Sequence, residues 1–208
     1  LVASSSSVGV RPAHGRGLYP DSTSGTDVVT FAYNAQGQQI WKKDQAGNVI
    51  ETDFDTAGRE THRRVTTLDG DFDGAVRRIS RTYNSRGLPE LVTQYDNATV
   101  GSGSVVDEVK YGYESWGLLS SFEQDRNSAV GASGSVDDYE VSYAWAKATA
   151  GRNTLRRTSL TLPSGNAIAY SYSSRSGLHD LDASRVTQLT ESGTALVTYW
   201  YNGLDTVV

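Results

Sequence analysis

Three aspartates at alternate positions, in Asp69-Gly-Asp71-Phe-Asp73-Gly74, are the residues whose types and spacing point most directly to chemistry. Carboxylates gathered on a tight loop are the oxygen ligands that Ca²⁺ prefers, and the glycine permits the sharp turn, as at the start of an EF-hand loop. Such a loop needs a bidentate glutamate at its twelfth position, which here is Ser80. Two interpretations of Asp69, Asp71 and Asp73 follow: a calcium loop at a hairpin tip, or an acidic, solvated turn.

Pairs of arginines flank this tip, with Arg63-Arg64 before it and Arg77-Arg78 after it. A hairpin folded about Asp71 places the two pairs opposite each other. Like charges directly opposite on neighbouring strands are unfavourable. We therefore expect these arginines to extend into water, to pair with carboxylates of neighbouring repeats, or to bind an anionic ligand.

The histidines give little indication of catalysis, because His14, His62 and His179 lie far apart in the sequence. His179-Asp180 has the form of a base and its orienting carboxylate, but no serine or cysteine in an activated setting accompanies it. Asn97-Ala-Thr99 matches an N-glycosylation sequon. We expect that the chain is not an enzyme and that it binds no cofactor other than the calcium considered above.

The elements that would position these side chains recur as an aromatic residue followed a few positions later by glycine. The close copies are Tyr33-Asn-Ala-Gln-Gly37, Phe54-Asp55-Thr-Ala-Gly58, Tyr83-Asn84-Ser-Arg-Gly87 and Tyr113-Glu-Ser-Trp-Gly117, and the looser ones begin at Tyr143, at Tyr172 (with Gly177) and at Tyr201 (with Gly203). Successive key aromatics are 21, 29, 30, 30, 29 and 29 residues apart. A period of this size indicates a repeat array.

Alternation of apolar and polar residues precedes most of the key aromatics. Positions two and four before the aromatic are mostly apolar, as in Val29-x-Phe31-x-Tyr33, and the residues between them are mostly small or polar. Because this is the period of a strand, it predicts an all-β array of antiparallel β-hairpins. We expect an aromatic and aliphatic ladder on one face, a solvated second face, and tips that vary in length while the period hardly changes.

Composition narrows the classes of protein. The net charge of −5 speaks against a general nucleic-acid binder, and the absence of cysteine excludes disulfides, zinc fingers and thiol chemistry. No apolar run approaches the roughly 20 residues of a membrane span. The chain also lacks methionine, so we expect a processed product or a segment of a longer protein.

Two regions of the chain differ in amino-acid composition. Residues 1–27 are rich in Ser, Gly and Pro and are predicted to be an extended leader or linker, or a segment laid along the array. Residues 28–208 are predicted to hold about seven units of roughly 29–30 residues.

The element Tyr-[Asp/Asn]-x-x-Gly-[Arg/Leu] at this period resembles the YD repeat, also called the Rhs repeat. Phe54-Asp-Thr-Ala-Gly-Arg59 and Tyr83-Asn-Ser-Arg-Gly-Leu88 match it most closely. The last unit of this chain, Tyr199-Trp-Tyr-Asn-Gly-Leu-Asp205, resembles the family's Tyr-x-Tyr-Asp-Gly-Leu-Gly-Arg, with Asn at the Asp position and Asp205 where Gly is usual. The resemblance covers roughly residues 28–208. It implies a spiralling, curved sheet, shell-like or solenoid-like.

In Rhs effectors and insecticidal toxin complexes such a shell holds a toxic C-terminal domain, and in teneurins a similar barrel serves adhesion. Rhs effectors also carry a self-cleaving Asp-Pro-x-Gly element, whereas no Asp-Pro dipeptide occurs in this chain. The resemblance therefore implies a structural role and assigns no self-cleavage to this segment.

Three functions follow as hypotheses. The first is a non-enzymatic segment of an extracellular β-sheet shell around a toxin or effector domain. The second is a building block of a self-assembling extracellular filament or adhesin, and the third is a carbohydrate- or calcium-binding surface module. The expected partners are flanking repeats of the same longer chain or identical subunits, an enclosed toxin domain, or surface glycans, with no nucleic acid and no membrane span. The expected location is secreted or on a bacterial cell surface.

Overall fold

The computed structural model describes residues 3–8, 28–132, 138–148, 154–173, 183–202 and 206–207. The secondary-structure elements assigned within these ranges are all β-strands. No helix in this part of the chain is long and apolar enough to cross a membrane.

The strands follow one another at short intervals. They are β1 (Ala3–Val8), β2 (Val29–Tyr33), β3 (Gln39–Lys43), β4 (Val49–Phe54), β5 (Glu60–Thr67), β6 (Arg78–Tyr83), β7 (Pro89–Tyr95), β8 (Val105–Tyr113), β9 (Leu119–Asp125), β10 (Asp138–Lys147), β11 (Leu155–Thr161), β12 (Ala167–Ser171), β13 (Gln188–Glu191), β14 (Thr194–Thr198), β15 (Tyr201–Asn202) and β16 (Thr206–Val207).

Strand order in the main sheet runs from β1 to β14 in the order of the chain, while β15 and β16 form a separate two-stranded sheet. The chain divides into two compact units: the first holds Leu1–Val109 and Asp125–Val136, and the second holds Lys110–Gln124 and Asp137–Val208. The prediction of an all-β array of antiparallel hairpins is confirmed.

The amino-terminal region contributes a strand to the first unit. β1 pairs antiparallel with β2, with Ser6 opposite Phe31 and Val8 opposite Val29. Residues 3–8 therefore form the first strand of the main sheet. The other residues of this region lie outside the described ranges.

Connections in the first unit are of two kinds that alternate along the chain. Short turns at 34–38, 55–59 and 84–88 follow the strands that end in the key aromatics. Tips at 44–48, 68–77 and 96–104 join the strands at the other end. Because the strands are antiparallel, the short turns all lie at one end of the strands and the tips all lie at the other end.

The buried side chains of this sheet are polar. Among the described residues no hydrophobic side chain is fully buried, and those that are buried are Asn48, Thr52, Arg78, Thr93, Glu108, Asp125, Arg156 and Thr187. The apolar ladder is half-exposed, and it includes an edge-to-face contact of Tyr111 with Phe122 at 5.5 Å between ring centroids.

The second face was predicted to be solvated, and for part of the first unit this is wrong. Ser80 faces Thr93 across β6 and β7, and Thr93 donates a hydrogen bond to Glu108 at 2.6 Å. Polar groups can be buried when they satisfy one another's hydrogen bonds. Part of the polar face is therefore shielded from solvent by its own side chains.

Candidate functional site

The signature turns have a defined backbone geometry. In the turn that follows Phe54, the amide of Asp55 donates to the carbonyl of Arg59 at 2.9 Å, and the amide of Gly58 donates to the carbonyl of Asp55 at 3.0 Å. The Asp55 carboxylate accepts from the amides of Ala57 and Arg59, each at 2.9 Å. Hydrogen bonds from the backbone and side chain of Arg59 hold the pKa of Asp55 below its ordinary value.

Among the residues that the structure describes, six turns share the two backbone hydrogen bonds. They begin at Asn34, Asp44, Asp55, Asn84, Glu114 and Leu162. The glycine at the fourth position has φ between 79° and 87° in all six, a left-handed conformation that favours glycine. Two of these turns, at Asp44 and Leu162, follow no key aromatic. Both lie where the sequence predicts tips rich in Gly, Asn, Asp and Ser, but the repeat signature did not include them because it required the aromatic.

The key tyrosines close hairpins through a contact that we call the tyrosine bridge. Tyr83 donates its hydroxyl hydrogen bond to the carbonyl of Glu60 at 2.8 Å, and the guanidinium of Arg59 lies 4.3 Å from the centre of its ring. The same bridge joins Tyr172 to the carbonyl of Arg157 at 2.9 Å beneath Arg156, and Tyr201 to the carbonyl of Val186 at 2.6 Å beneath Arg185. In each case the stacked arginine immediately precedes the residue whose carbonyl accepts.

The β9–β10 and β3–β4 hairpins depart from this pattern. Between β9 and β10, Trp145 Nε1 donates to the carbonyl of Leu119 at 2.7 Å, while the key aromatic Tyr143 lies inside β10. Between β3 and β4 the key aromatic is Phe54, which has no hydroxyl. There Gln38 stands in the position of the stacked arginine and donates Nε2 to the carbonyl of Gly58 at 2.8 Å.

The β3–β4 hairpin also contains a surface depression. The pair of Trp41 with Glu51 is the last in its register before the strands reach the signature turns. A depression of about 460 Å³ opens beside it, lined by Asn34, Ile40, Trp41, Glu51, Thr52, Asp53 and Phe54. We call this place, where the pairing of the two strands ends, the fork, and residues of both strands line its concavity.

An indole and two carboxylates share the polar face at this fork. Trp41 and Glu51 are cross-strand partners, and Asp53 follows Glu51 on the same face. Arg64 Nε lies 2.9 Å from Asp53 Oδ2, and Arg64 Nη2 lies 3.0 Å from Glu51 Oε2. One guanidinium thus orients both carboxylates and offsets part of their charge.

A second polar group on this face joins three strands. His62 Nδ1 lies 2.9 Å from Ser80 Oγ, which also accepts a hydrogen bond from Arg78 Nε at 3.1 Å. Burial lowers the pKa of His62, and the charges of Arg78 and Arg64 act in the same direction, while the Asp53 carboxylate opposes them. The imidazole is therefore uncharged at neutral pH. Only the strand register brings His62 to Ser80, and the sequence analysis did not pair them.

The predicted opposition of arginines is confirmed for Arg64 and Arg78, which are register partners. Arg64 is paired with carboxylates, as one of the three expectations has it. Arg78 is only 3% exposed, and its guanidinium lies 3.9 Å from the centre of the Tyr95 ring. Besides the bond to Ser80 Oγ, it donates hydrogen bonds to the backbone carbonyls of Asn97, Thr99 and Ser102. Arg78 thus anchors the tip 96–104, a role that the sequence did not indicate.

The other two arginines of the pairs are also engaged. Arg63 forms an ion pair with Glu60 at 2.7 Å, and its side chain is 54% exposed. Arg77 donates to the carbonyl of Val65 from Nε at 3.0 Å and from Nη2 at 2.7 Å. All four arginines therefore have partners, which come from the same strand for Arg63 and from neighbouring strands or a tip for the other three.

At the acidic tip, Asp69 and Asp73 accept hydrogen bonds from the backbone. Asp69 Oδ1 accepts from the amide of Asp71 at 3.0 Å, and Asp73 Oδ1 accepts from the amide of Ala75 at 2.9 Å. In the part of the chain that the structure describes, no group of three or more histidines or carboxylates is arranged to hold a metal ion. Calcium binding by Asp69, Asp71 and Asp73 stays a prediction of the sequence.

The remaining signature residues fall at strand ends and turns. Tyr33, Phe54, Tyr83 and Tyr113 end β2, β4, β6 and β8, and Tyr172 follows β12 directly. Gly177, Gly203, His14 and His179 lie outside the described residues.

Comparison with known proteins gives a distant likeness. No family model and no curated protein matches the chain. It is similar to TcdB2-TccC3 without its hypervariable C-terminal region, at 15% sequence identity and a TM-score of 0.38, over 98% of this chain and 12% of that chain.

Two further solved structures give similar values. For the TcdB2-TccC3-Cdc42 complex the identity is 16% and the TM-score 0.33, over 94% of this chain and 11% of that chain. For the Tc holotoxin pore of Photorhabdus luminescens with a mutated TccC3, the identity is 17% and the TM-score 0.32, with the same 94% and 11% covered. The chain thus spans about an eighth or less of the length of each of these chains.

Proposed function

We propose that this chain is a non-enzymatic structural segment of an extracellular β-sheet shell, built from YD/Rhs-type repeats, that encloses a toxin or effector domain. The observation that carries the proposal is the strand order, in which each strand of the main sheet pairs with its neighbours in the chain. A sheet of this kind grows by one hairpin at a time without rearranging the contacts already made.

Side-chain contacts between neighbouring strands support this structural role. The tyrosine bridge ties the start of one strand to the end of the next, as from Glu60 to Tyr83. On the polar face, Arg64 and Arg78 connect neighbouring strands and a tip through bonds that need no second layer. Twist is inherent in such a sheet, and continued addition of hairpins makes it curl.

Electron microscopy of the full-length secreted polypeptide that contains this segment tests the proposal. We expect closed, hollow particles, and protection of the region beyond the repeats from an added protease. Mild unfolding of the sheet in urea should abolish that protection. Open sheets, or a downstream region that is cleaved as fast in the native particle as in the urea-treated one, would overturn the proposal.

A second candidate is an extracellular filament or adhesin subunit, and β14 favours it. All five residues of this strand, Thr194–Thr198, are exposed, none is charged, and the strand is the last of the main sheet. An uncharged edge strand is a template for pairing with another chain. Growth of copies end to end through β14 would give continuous fibres.

Substitution at the edge separates the two candidates. A filament that elongates through β14 should be blocked by Leu196→Lys, because a lysine on an edge strand disfavours pairing. Leu155→Lys is the matched control, since Leu155 is also an exposed leucine but lies in β11, which has a neighbour on each side. Fibres that form equally in both variants would eliminate this route of assembly, and hollow particles in both would favour the shell.

A further inference from the structure

Two hairpins of the chain have the same design and provide an internal comparison. In β3–β4, Lys43 pairs with Val49, Lys42 with Ile50 and Trp41 with Glu51. In β11–β12 the corresponding pairs are Thr161 with Ala167, Leu160 with Ile168 and Ser159 with Ala169. Each hairpin has a five-residue turn of the shared geometry, so equivalent positions are fixed by counting from the turn.

The equivalent hairpins differ at the fork. Tyr172 lies 15 residues after Arg157 and donates to its carbonyl. Phe54 likewise lies 15 residues after Gln39, but it has no hydroxyl to make the bond. The position of the stacked Arg156 is taken by Gln38, whose amide reaches Gly58 instead. The β3–β4 fork therefore lacks the bridge and the stacked cation. The depression of about 460 Å³ lies on the same two strands and has Phe54 in its lining, whereas Gln38 and Gln39 do not line it.

The side chains on the polar face differ as well. Trp41, Glu51 and Asp53 stand where β11–β12 has Ser159, Ala169 and Ser171. A half-buried indole offers an apolar plane, and each carboxylate that Arg64 orients keeps further acceptor positions. Asn34 adds an amide to the lining. An apolar surface with a few convergent polar groups is the usual composition of a small-molecule site.

We propose that the fork between β3 and β4 binds a single neutral saccharide ring. Trp41 receives the apolar face of the ring, and Glu51 and Asp53 accept hydrogen bonds from its hydroxyl groups. Charge argues for a neutral ligand, because Arg64 pairs with both carboxylates and Arg78 lies opposite Arg64 on the neighbouring strand. The volume suits one ring, since small-molecule sites begin near 300 Å³.

Titration of the 208-residue chain with methyl glycosides of glucose, galactose and N-acetylglucosamine tests the proposal. The readouts are saturation-transfer NMR on the sugar protons and the shift of the Trp41 indole N–H, assigned with Trp41→Phe. We expect at least one glycoside to bind with a dissociation constant on the order of 1–10 mM, as for a ligand of about a dozen heavy atoms at ordinary efficiency. No transfer from any glycoside at tenfold higher concentration would overturn the proposal.

Matched variants connect the binding to the fork. Phe54→Tyr supplies the missing hydroxyl, should draw the strands together as in β11–β12, and should weaken binding at least fivefold. Glu51→Ala, which copies Ala169, should weaken it by a similar factor. Tyr172→Phe removes the hydroxyl from the equivalent fork, where the indole and carboxylates are missing, and should leave binding unchanged.

Two outcomes contradict the assignment even if some ligand binds. Affinity that is equal in the wild type, Phe54→Tyr and Glu51→Ala would place the sugar elsewhere. A shift of the Trp41 indole caused by choline and by none of the glycosides would identify the fork as a cation site, because an indole between carboxylates also suits an ammonium group. Thermal unfolding of each variant shows whether a loss of binding reflects loss of fold.

Discussion

Tyr172 donates its hydroxyl hydrogen bond to the carbonyl of Arg157, 15 residues earlier, at 2.9 Å. Tyr201 reaches Val186 across the same interval at 2.6 Å, and Phe54 occupies the equivalent place in β4 without a hydroxyl. Phe54 therefore leaves the Gln39 carbonyl without the tyrosine bridge that the Arg157 and Val186 carbonyls have.

Exchanging these two residues should move stability in opposite directions. Phe54→Tyr adds a hydrogen bond to the carbonyl of Gln39 and should raise the free energy of unfolding by about 1 kcal/mol. Tyr172→Phe should lower it by about 1 kcal/mol, because the Arg157 carbonyl loses its side-chain donor. Urea denaturation of the two variants measures both changes. A stabilising Tyr172→Phe, or a destabilising Phe54→Tyr, would contradict the role of the tyrosine bridge.

Arg78→Met should destabilise the protein and release the tip 96–104. The substitution keeps the length of an apolar stem but removes the guanidinium that donates to three backbone carbonyls of this tip. Loss of buried, charge-assisted hydrogen bonds should lower the free energy of unfolding by about 2–4 kcal/mol. Limited proteolysis should then cleave between residues 96 and 104 before any other part of the described sheet.

Arg63→Met is the control for this prediction. Its side chain is 54% exposed and pairs with Glu60 on the same strand, so its loss should change stability by less than about 1 kcal/mol. Equal effects at positions 63 and 78 would show that the tip is held by something other than the Arg78 guanidinium.

Gly37→Ala should be destabilising because of the backbone alone. Gly37 has φ of 80°, and a Cβ built there meets nothing within 4 Å. The cost is therefore the left-handed conformation of an L-residue, about 1–2 kcal/mol. Gly70→Ala is the matched substitution, since its Cβ also meets open space but its φ is not in that region. Thermal melts should separate the two, and an equal fall in both would refute the conformational explanation.

Stability should fall as the pH drops below about 6.5, in part because of His62. Its folded-state pKa is lowered by burial and by Arg78 and Arg64, against the opposing Asp53, while the unfolded value is about 6.5. The unfolded chain then binds the proton at a higher pH than the folded one. The contribution is fully present above the unfolded pKa and is lost as the pH falls toward the folded pKa.

Melting temperatures between pH 8 and pH 5 for the wild type and His62→Gln measure this effect. The difference between the two proteins should change across the interval, whereas the contributions of His14 and His179 are common to both. An NMR titration of the His62 ring with a midpoint at or above 6.5 would contradict the prediction.

The hairpin order and the signature turns could be predicted from the sequence because their causes are local. An Asn or Asp after Tyr33 or Phe54 accepts amides two and four residues on, and Gly37 or Gly58 adopts the left-handed conformation. Strand alternation before the key aromatics fixes the rest. These signals lie within about ten residues of each other and need no knowledge of the partner strands.

The fork and the polar face could not be predicted because they depend on register. His62 meets Ser80 over 18 residues, and Arg78 meets Ser102 over 24. The ladder between β4 and β5 also shifts twice, once before Ile50 and once after Asp53. Because a shift of one residue moves a side chain to the other face, patterning alone does not say that Asp53 lies opposite His62.

In the first unit, turns of uniform length lie at one end of the strands, and tips of different lengths lie at the other end. Additional residues at 68–77 extend into solvent and cost little closure entropy, so each strand keeps its partners. The same insertion at 34–38 or 55–59 would displace the glycine from its left-handed position and slide a strand. Grafted peptides, epitopes or newly acquired recognition loops should therefore be accepted at tip 68–77 and not at the short turns, which makes this tip the display site of the first unit.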